Sequence, residues 1–145
     1  MNRRTAIACC AIFFALTTGL ALADSTPTWK RAPEGTFQLV ELSLARGVED
    51  RKPVQVAGDG VAIAADGARL YAYLHVFNKG AQKALKVIWK RGEKVYHEAT
   101  VVVGRSPSWR TWAYIDARAS LKGSWTVTIL DDEGKELTQR AFQIE

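Results

Sequence analysis

The chain has 145 residues, 48% of them apolar and 10% aromatic, with five tryptophans. That content is too rich for a disordered coil, and one core of ordinary size uses up the length, so disorder and a multidomain layout are both excluded. Twenty Lys and Arg oppose 15 Asp and Glu, a mild basic excess that does not by itself point to nucleic acid.

Residues 1–23 read as a secretory signal. Arg3 and Arg4 form a short positive start, and Thr5–Leu22 is uncharged and mostly apolar. Ala21-Leu22-Ala23 then places small residues at the cleavage positions ahead of Asp24. An uncleaved anchor is the competing reading, because the apolar stretch is nearly long enough to span a bilayer. Cleavage is the expectation, leaving no stable membrane span and a periplasmic or secreted protein. Cys9 and Cys10 are the only cysteines and lie within this segment. The exported chain is therefore expected to have no disulfide and no thiolate metal site.

Residues 24–36 form a polar lead-in, and residues 37–145 are expected to form the domain. From Phe37 onward the pattern has period two, with turn signals at short intervals. Phe37–Arg46 reads as a first strand, broken by the Gly, charges and Pro of Gly47–Pro53. A weak strand follows in Val54–Ala64, interrupted by Gly58-Asp59-Gly60. Arg69–Phe77 is a strong strand, with Leu70, Ala72, Leu74 and Val76 on one side and Tyr71, Tyr73, His75 and Phe77 on the other. Ala84–Lys90 and Lys94–Val103 flank a hairpin turn at Arg91-Gly92-Glu93. Ser108–Asp116, Gly123–Leu130 and Glu136–Ile144 are further strands, with one helical turn near Ala117–Leu121. Seven or eight short strands predict an all-β fold, an antiparallel β-sandwich of the immunoglobulin or fibronectin-III kind. A closed barrel is the alternative, which periodicity does not separate. Trp89, Trp109 and Trp125 are expected in the core between the sheets.

Three stretches carry a resemblance: Glu41–Val54, with Arg46-Gly47-Val48-Glu49-Asp50-Arg51-Lys52-Pro53-Val54 its specific part, then Ser108-Trp109-Arg110-Thr111-Trp112, then Gly123-Ser124-Trp125-Thr126-Val127 continuing through Asp131–Leu137. In this order they resemble the DUF2914 family of bacterial exported and membrane-attached proteins, over nearly the whole chain beyond the signal. The chain departs from that pattern at Ala45, where cysteine is often found, and at Tyr73, where tryptophan is frequent. The resemblance implies a compact β domain of the cell envelope and supplies no catalytic residues.

The leading candidate site is Trp109–Tyr114. Strand alternation puts Arg110, Trp112 and Tyr114 on one face and Trp109, Thr111, Ala113 and Ile115 on the other. The first set sandwiches a guanidinium between aromatic rings, a surface suited to stacking a sugar or gripping a peptide. The competing reading has Arg110 snorkelling across Trp112 to a carboxylate. Arg46, Glu49 and Arg51, with Asp50, form a second cluster. It reads either as a partner-binding loop or as a turn pinned by Arg–carboxylate pairs. The lysine-rich run from Lys79 to Lys94 reads as a solvated edge that deters aggregation. Two histidines, His75 and His97, without cysteines or a carboxylate spacing are poor evidence for a metal, and no cofactor is expected. The functional expectation is a non-enzymatic module binding an envelope protein or glycan. A purely structural or assembly domain is the alternative. A hydrolase using Glu41, Glu49 and Asp116 as general acid and base is the weaker third reading.

Overall fold

A computed structural model describes residues 35–58 and 62–145. The signal segment 1–23 and nearly all of the lead-in lie outside the described residues. Nine strands follow in order: β1 (Phe37–Glu49), β2 (Lys52–Ala57), β3 (Ala62–Ile63), β4 (Arg69–Asn78), β5 (Lys83–Arg91), β6 (Lys94–Val103), β7 (Ser106–Asp116), β8 (Gly123–Leu130) and β9 (Glu136–Ile144). A 3₁₀ turn, Ala119–Leu121, precedes β8.

The strands form two sheets, ordered β2-β1-β4-β7 and β3-β9-β8-β5-β6. The fold is an all-β sandwich and not a closed barrel. Alternation along each strand builds its core. Leu42 and Leu44 of β1, Leu70, Ala72, Leu74 and Val76 of β4, and Ala113 and Ile115 of β7 face inward from the first sheet. They meet Leu85, Val87 and Trp89 of β5, Trp125, Val127 and Ile129 of β8, and Phe142 and Ile144 of β9. Trp89 meets Phe142 edge-on at 6.0 Å between centroids, and Trp125 stacks on the same ring at 6.2 Å. Burying each of these rings contributes several kcal/mol at ~25 cal/mol per Å². Trp109 is half-buried against the same core.

Three expectations are corrected. The weak strand over Val54–Ala64 is two strands in different sheets: β2 pairs antiparallel with β1, and β3 pairs parallel with β9. Among the described residues the sandwich therefore has nine strands, and its second sheet is mixed where a wholly antiparallel one was expected. Gly47–Pro53 does not end the first strand either. β1 continues to Glu49 and turns through Asp50-Arg51 directly into Lys52. Both turn residues have positive φ, 48° and 60°, as a tight two-residue hairpin demands. Without Asn-Gly or Asp-Gly at that point, the sequence hides the turn.

The passage from β6 to β7 carries the chain from one sheet to the other. Gly104 lies at this corner, where a Cβ would sit 2.6 Å from the Trp109 ring. Asn78, fully buried at the end of β4, donates to Ala81 O at 2.9 Å and Gly104 O at 3.2 Å, and its Oδ1 accepts from Gly80 N at 3.0 Å. Ring and amide together fix where β7 starts.

Trp125 and Trp89 differ in one respect. Trp125 Nε1 donates to Leu121 O at 2.7 Å, whereas Trp89 Nε1 is buried with no partner among the described residues. Both Trp→Phe changes shrink the core, but only Trp125→Phe also strands a buried carbonyl. Urea unfolding is expected to show Trp125→Phe costing about 1–3 kcal/mol more than Trp89→Phe. Either Trp→Ala change should cost about 3–5 kcal/mol.

Candidate functional site

The outer face of the four-stranded sheet is polar and aromatic. Pairing of β4 with β7 sets Tyr71 beside Tyr114, Tyr73 beside Trp112 and His75 beside Arg110. Pairing of β4 with β1 adds Ala45, Ser43 and Glu41 on the other side of the same three residues. Arg110, Trp112 and Tyr114 thus share a face, as alternation predicts, while Trp109, Thr111, Ala113 and Ile115 turn inward.

This face has a covered half and an open half. Ser43, Ala45, Tyr73 and His75 are buried, whereas Trp112 is 37% and Tyr114 44% exposed. The β1–β2 hairpin explains the covering of Tyr73. Its hydroxyl donates to Arg51 O at 3.0 Å, although Tyr73 pairs with Ser43, six residues before the end of β1. A straight strand would carry the hairpin end roughly 20 Å away at about 3.3 Å per residue. The hairpin therefore curls back over the sheet.

Charge on this face centres on Arg110. Burial pushes the Tyr73 hydroxyl up, and the adjacent Arg110 guanidinium works against that, ahead of the opposing effect of Glu41. Burial also holds His75 below its usual value of 6.5, with Arg110 reinforcing the effect more than Glu41 offsets it. His75 Nε2 and Ser108 Oγ are hydrogen-bonded at 2.8 Å, so the ring has a neutral partner. Glu41 accepts the Ser43 hydroxyl. Arg110 is in no salt bridge among the described residues, so the expected alternative of a carboxylate partner for it is absent there. At the far end, the Arg69 guanidinium lies 4.3 Å from the centroid of the Tyr114 ring, and Tyr71 lies 5.6 Å from the same ring.

The second cluster divides. The Arg46 guanidinium bonds Asp66, whose carboxyl is held below its usual range first by the Ala68 N–H and then by Arg46. Arg46 thus ties β1 to the turn before β4 and does not join the aromatic face. Glu49 is exposed at the hairpin end. Arg51 meets the face through its carbonyl, and its charge is felt at Tyr73. Of the carboxylates weighed for acid–base work, Glu41 serves Ser43 and Asp116 pairs with Arg118 at 2.8 Å. The two histidines lie on different sheets, His75 on β4 and His97 on β6.

Tyr73, His75, Ser108 and Arg69 belong to this surface and were not assigned to it by sequence. The aromatic alternation in Tyr71, Tyr73, His75 and Phe77 was the available signal. Beside the face, between edge strands β6 and β7, runs a groove of about 530 Å³ lined by Tyr96, His97, Trp112, Tyr114, Asp116 and Arg118. Tyr96 meets Trp125 edge-on at 5.2 Å.

The family model of proteins of unknown function DUF2914 matches residues 82–144. This segment belongs to the DUF2914 family. It spans β5 to β9, and so includes Trp109-Arg110-Thr111-Trp112 and the Gly123-Ser124-Trp125 strand. The DUF2914 segment thus contributes one strand, β7, to the four-stranded sheet. The Arg46–Val54 motif lies before it. No curated protein matches the chain.

Neutral burial of His75 has a pH consequence. Its folded-state pKa is depressed, so between that value and 6.5 the unfolded chain binds more protons than the folded one. Stability is therefore expected to fall as pH drops below about 6.5. His75→Gln should flatten that part of the profile, measured as urea midpoints between neutral pH and about pH 4.5. An unchanged slope in the variant would remove His75 from the account. Asp66 acts only at lower pH, because its depressed pKa leaves its contribution intact until pH falls below 3.8.

Proposed function

We propose that the chain is a non-enzymatic, exported binding module that holds a protein or glycan of the cell envelope on the outer face of its four-stranded sheet. One observation carries the reading: Trp112 and Tyr114 are exposed on the same face as Arg110, whose guanidinium has no carboxylate partner among the described residues. Aromatic rings left in water beside a cation held in no salt bridge favour a ligand that stacks and carries acceptors. The signal-like N-terminus and the cysteine-free sequence beyond it support placing that ligand outside the cytoplasm. Arg69 on the Tyr114 ring and Arg51 at the hairpin end extend the same chemistry to both ends of the face. Arg46 is taken up by Asp66 at the turn before β4, and Glu49 stands exposed at the hairpin end.

Binding is tested with the purified protein on a polysaccharide array and against solubilised envelope proteins. Arg110→Ala and Trp112→Ala are each expected to abolish capture while moving the melting temperature by no more than about 2–4 °C, the shift that about half a kcal/mol produces in a small domain. Retained binding in both variants would refute the face as the site. A collapse in stability would return both residues to a structural role.

A further inference from the structure

A β-sandwich has four sheet edges, and exposed edges recruit other strands unless something blocks them. Three edges of this molecule carry such devices along their length. β3 is two residues long. β2 carries Lys52, Pro53 and a positive-φ Gln55. β6 carries Lys94 and Glu98, with an irregularity opposite Trp89 and Lys90. The fourth edge, β7, has Pro107 and an irregularity opposite Phe77 at its start, and then Trp109–Ile115 runs regularly along β4 with Arg110 as its one charge. A groove lies along this stretch, with Trp112 and Tyr114 on one wall and Tyr96, His97 and Thr100 of β6 on the other.

The sequence of this open edge is complementary to itself. Two antiparallel β7 strands related by a two-fold axis at Ala113 set Arg110 of each opposite Asp116 of the other. The same register sets Trp112 of each opposite Tyr114 of the other. All four side chains lie on the outer face, so each pair meets. Arg110, without a salt bridge in one copy, gains a carboxylate. Asp116 is paired in one copy with the exposed Arg118, and its charge is felt at Arg69 across the strand pair. No like charges face each other in this register, and an isologous contact of this kind closes as a dimer.

We infer that the protein self-associates through β7, joining two four-stranded sheets into one of eight with a doubled aromatic platform on its outer side. The inference rests on edge and register and does not depend on the ligand proposed above. Its test is sedimentation equilibrium on the purified full chain over a wide concentration range. Wild type is expected to show a concentration-dependent monomer–dimer equilibrium. Arg110→Glu and Asp116→Arg are each expected to weaken it by about tenfold or more, through like-charge juxtaposition. The double variant restores the opposite pairing and should recover association. Mixing Trp112→Cys protein with Tyr114→Cys protein, both in a Cys9→Ser, Cys10→Ser background, reads the register independently of charge. The mixture should form a disulfide-linked dimer on oxidation, and neither protein alone should. A monomer at every concentration would overturn the inference. So would a dimer indifferent to both charge changes, no recovery in the double variant, or equal cross-linking of each cysteine protein alone.

Discussion

The register between β4 and β7 is the constraint on which the rest of the structure depends. Leu70 against Ile115, Ala72 against Ala113 and Leu74 against Thr111 fill the inner side. Tyr71, Tyr73 and His75 meet Tyr114, Trp112 and Arg110 on the outer side. A slip of β7 by one residue would turn Trp112, Tyr114 and the Arg110 guanidinium into the core and expose Ala113 and Ile115. The apolar side therefore holds the polar side in place, and no outer-face contact needs to be strong for the face to persist. Trp109 against Gly104 and Asn78 against the same corner anchor the start of that register. The outer face is thus a consequence of inner packing and remains free to be shaped by chemistry other than stability.

The inner packing was legible in the sequence because it is local. Alternation in Arg69–Phe77 and in Trp109–Ile115 reports which residues share a side, whatever strand lies next to them. The same alternation placed Arg110, Trp112 and Tyr114 together. It could not place Tyr73 and His75 beside them, since which strand neighbours β4 is a non-local fact set by the whole sandwich. The division of Val54–Ala64 into β2 and β3 was hidden for the same reason, because one segment pairs with β1 and the other with β9, from the far end of the chain. The continuation of β1 past Gly47 was hidden for a different one. The residues that turn it, Asp50 and Arg51, are not those that usually adopt positive φ, apart from the tolerance of Asp for it.

That unusual turn bears on how the face is used. Asp50, Arg51 and Gln55 all have positive φ within six positions, and a non-glycine residue held there costs about 1–2 kcal/mol. Ladder pairing with β1 offsets part of this, and the Tyr73 bond to Arg51 O fastens the turn. What the hairpin brings to the face is its shape. It curls over Tyr73 and brings the charge of Arg51 to the Tyr73 and Arg110 side of the sheet. Trp112 and Tyr114 stay bare on the side that ends at the β7 edge. A straight, unstrained hairpin would leave the whole face flat and equally wet. The curled one makes the face asymmetric, with a covered polar wall at one side and an aromatic shelf at the other.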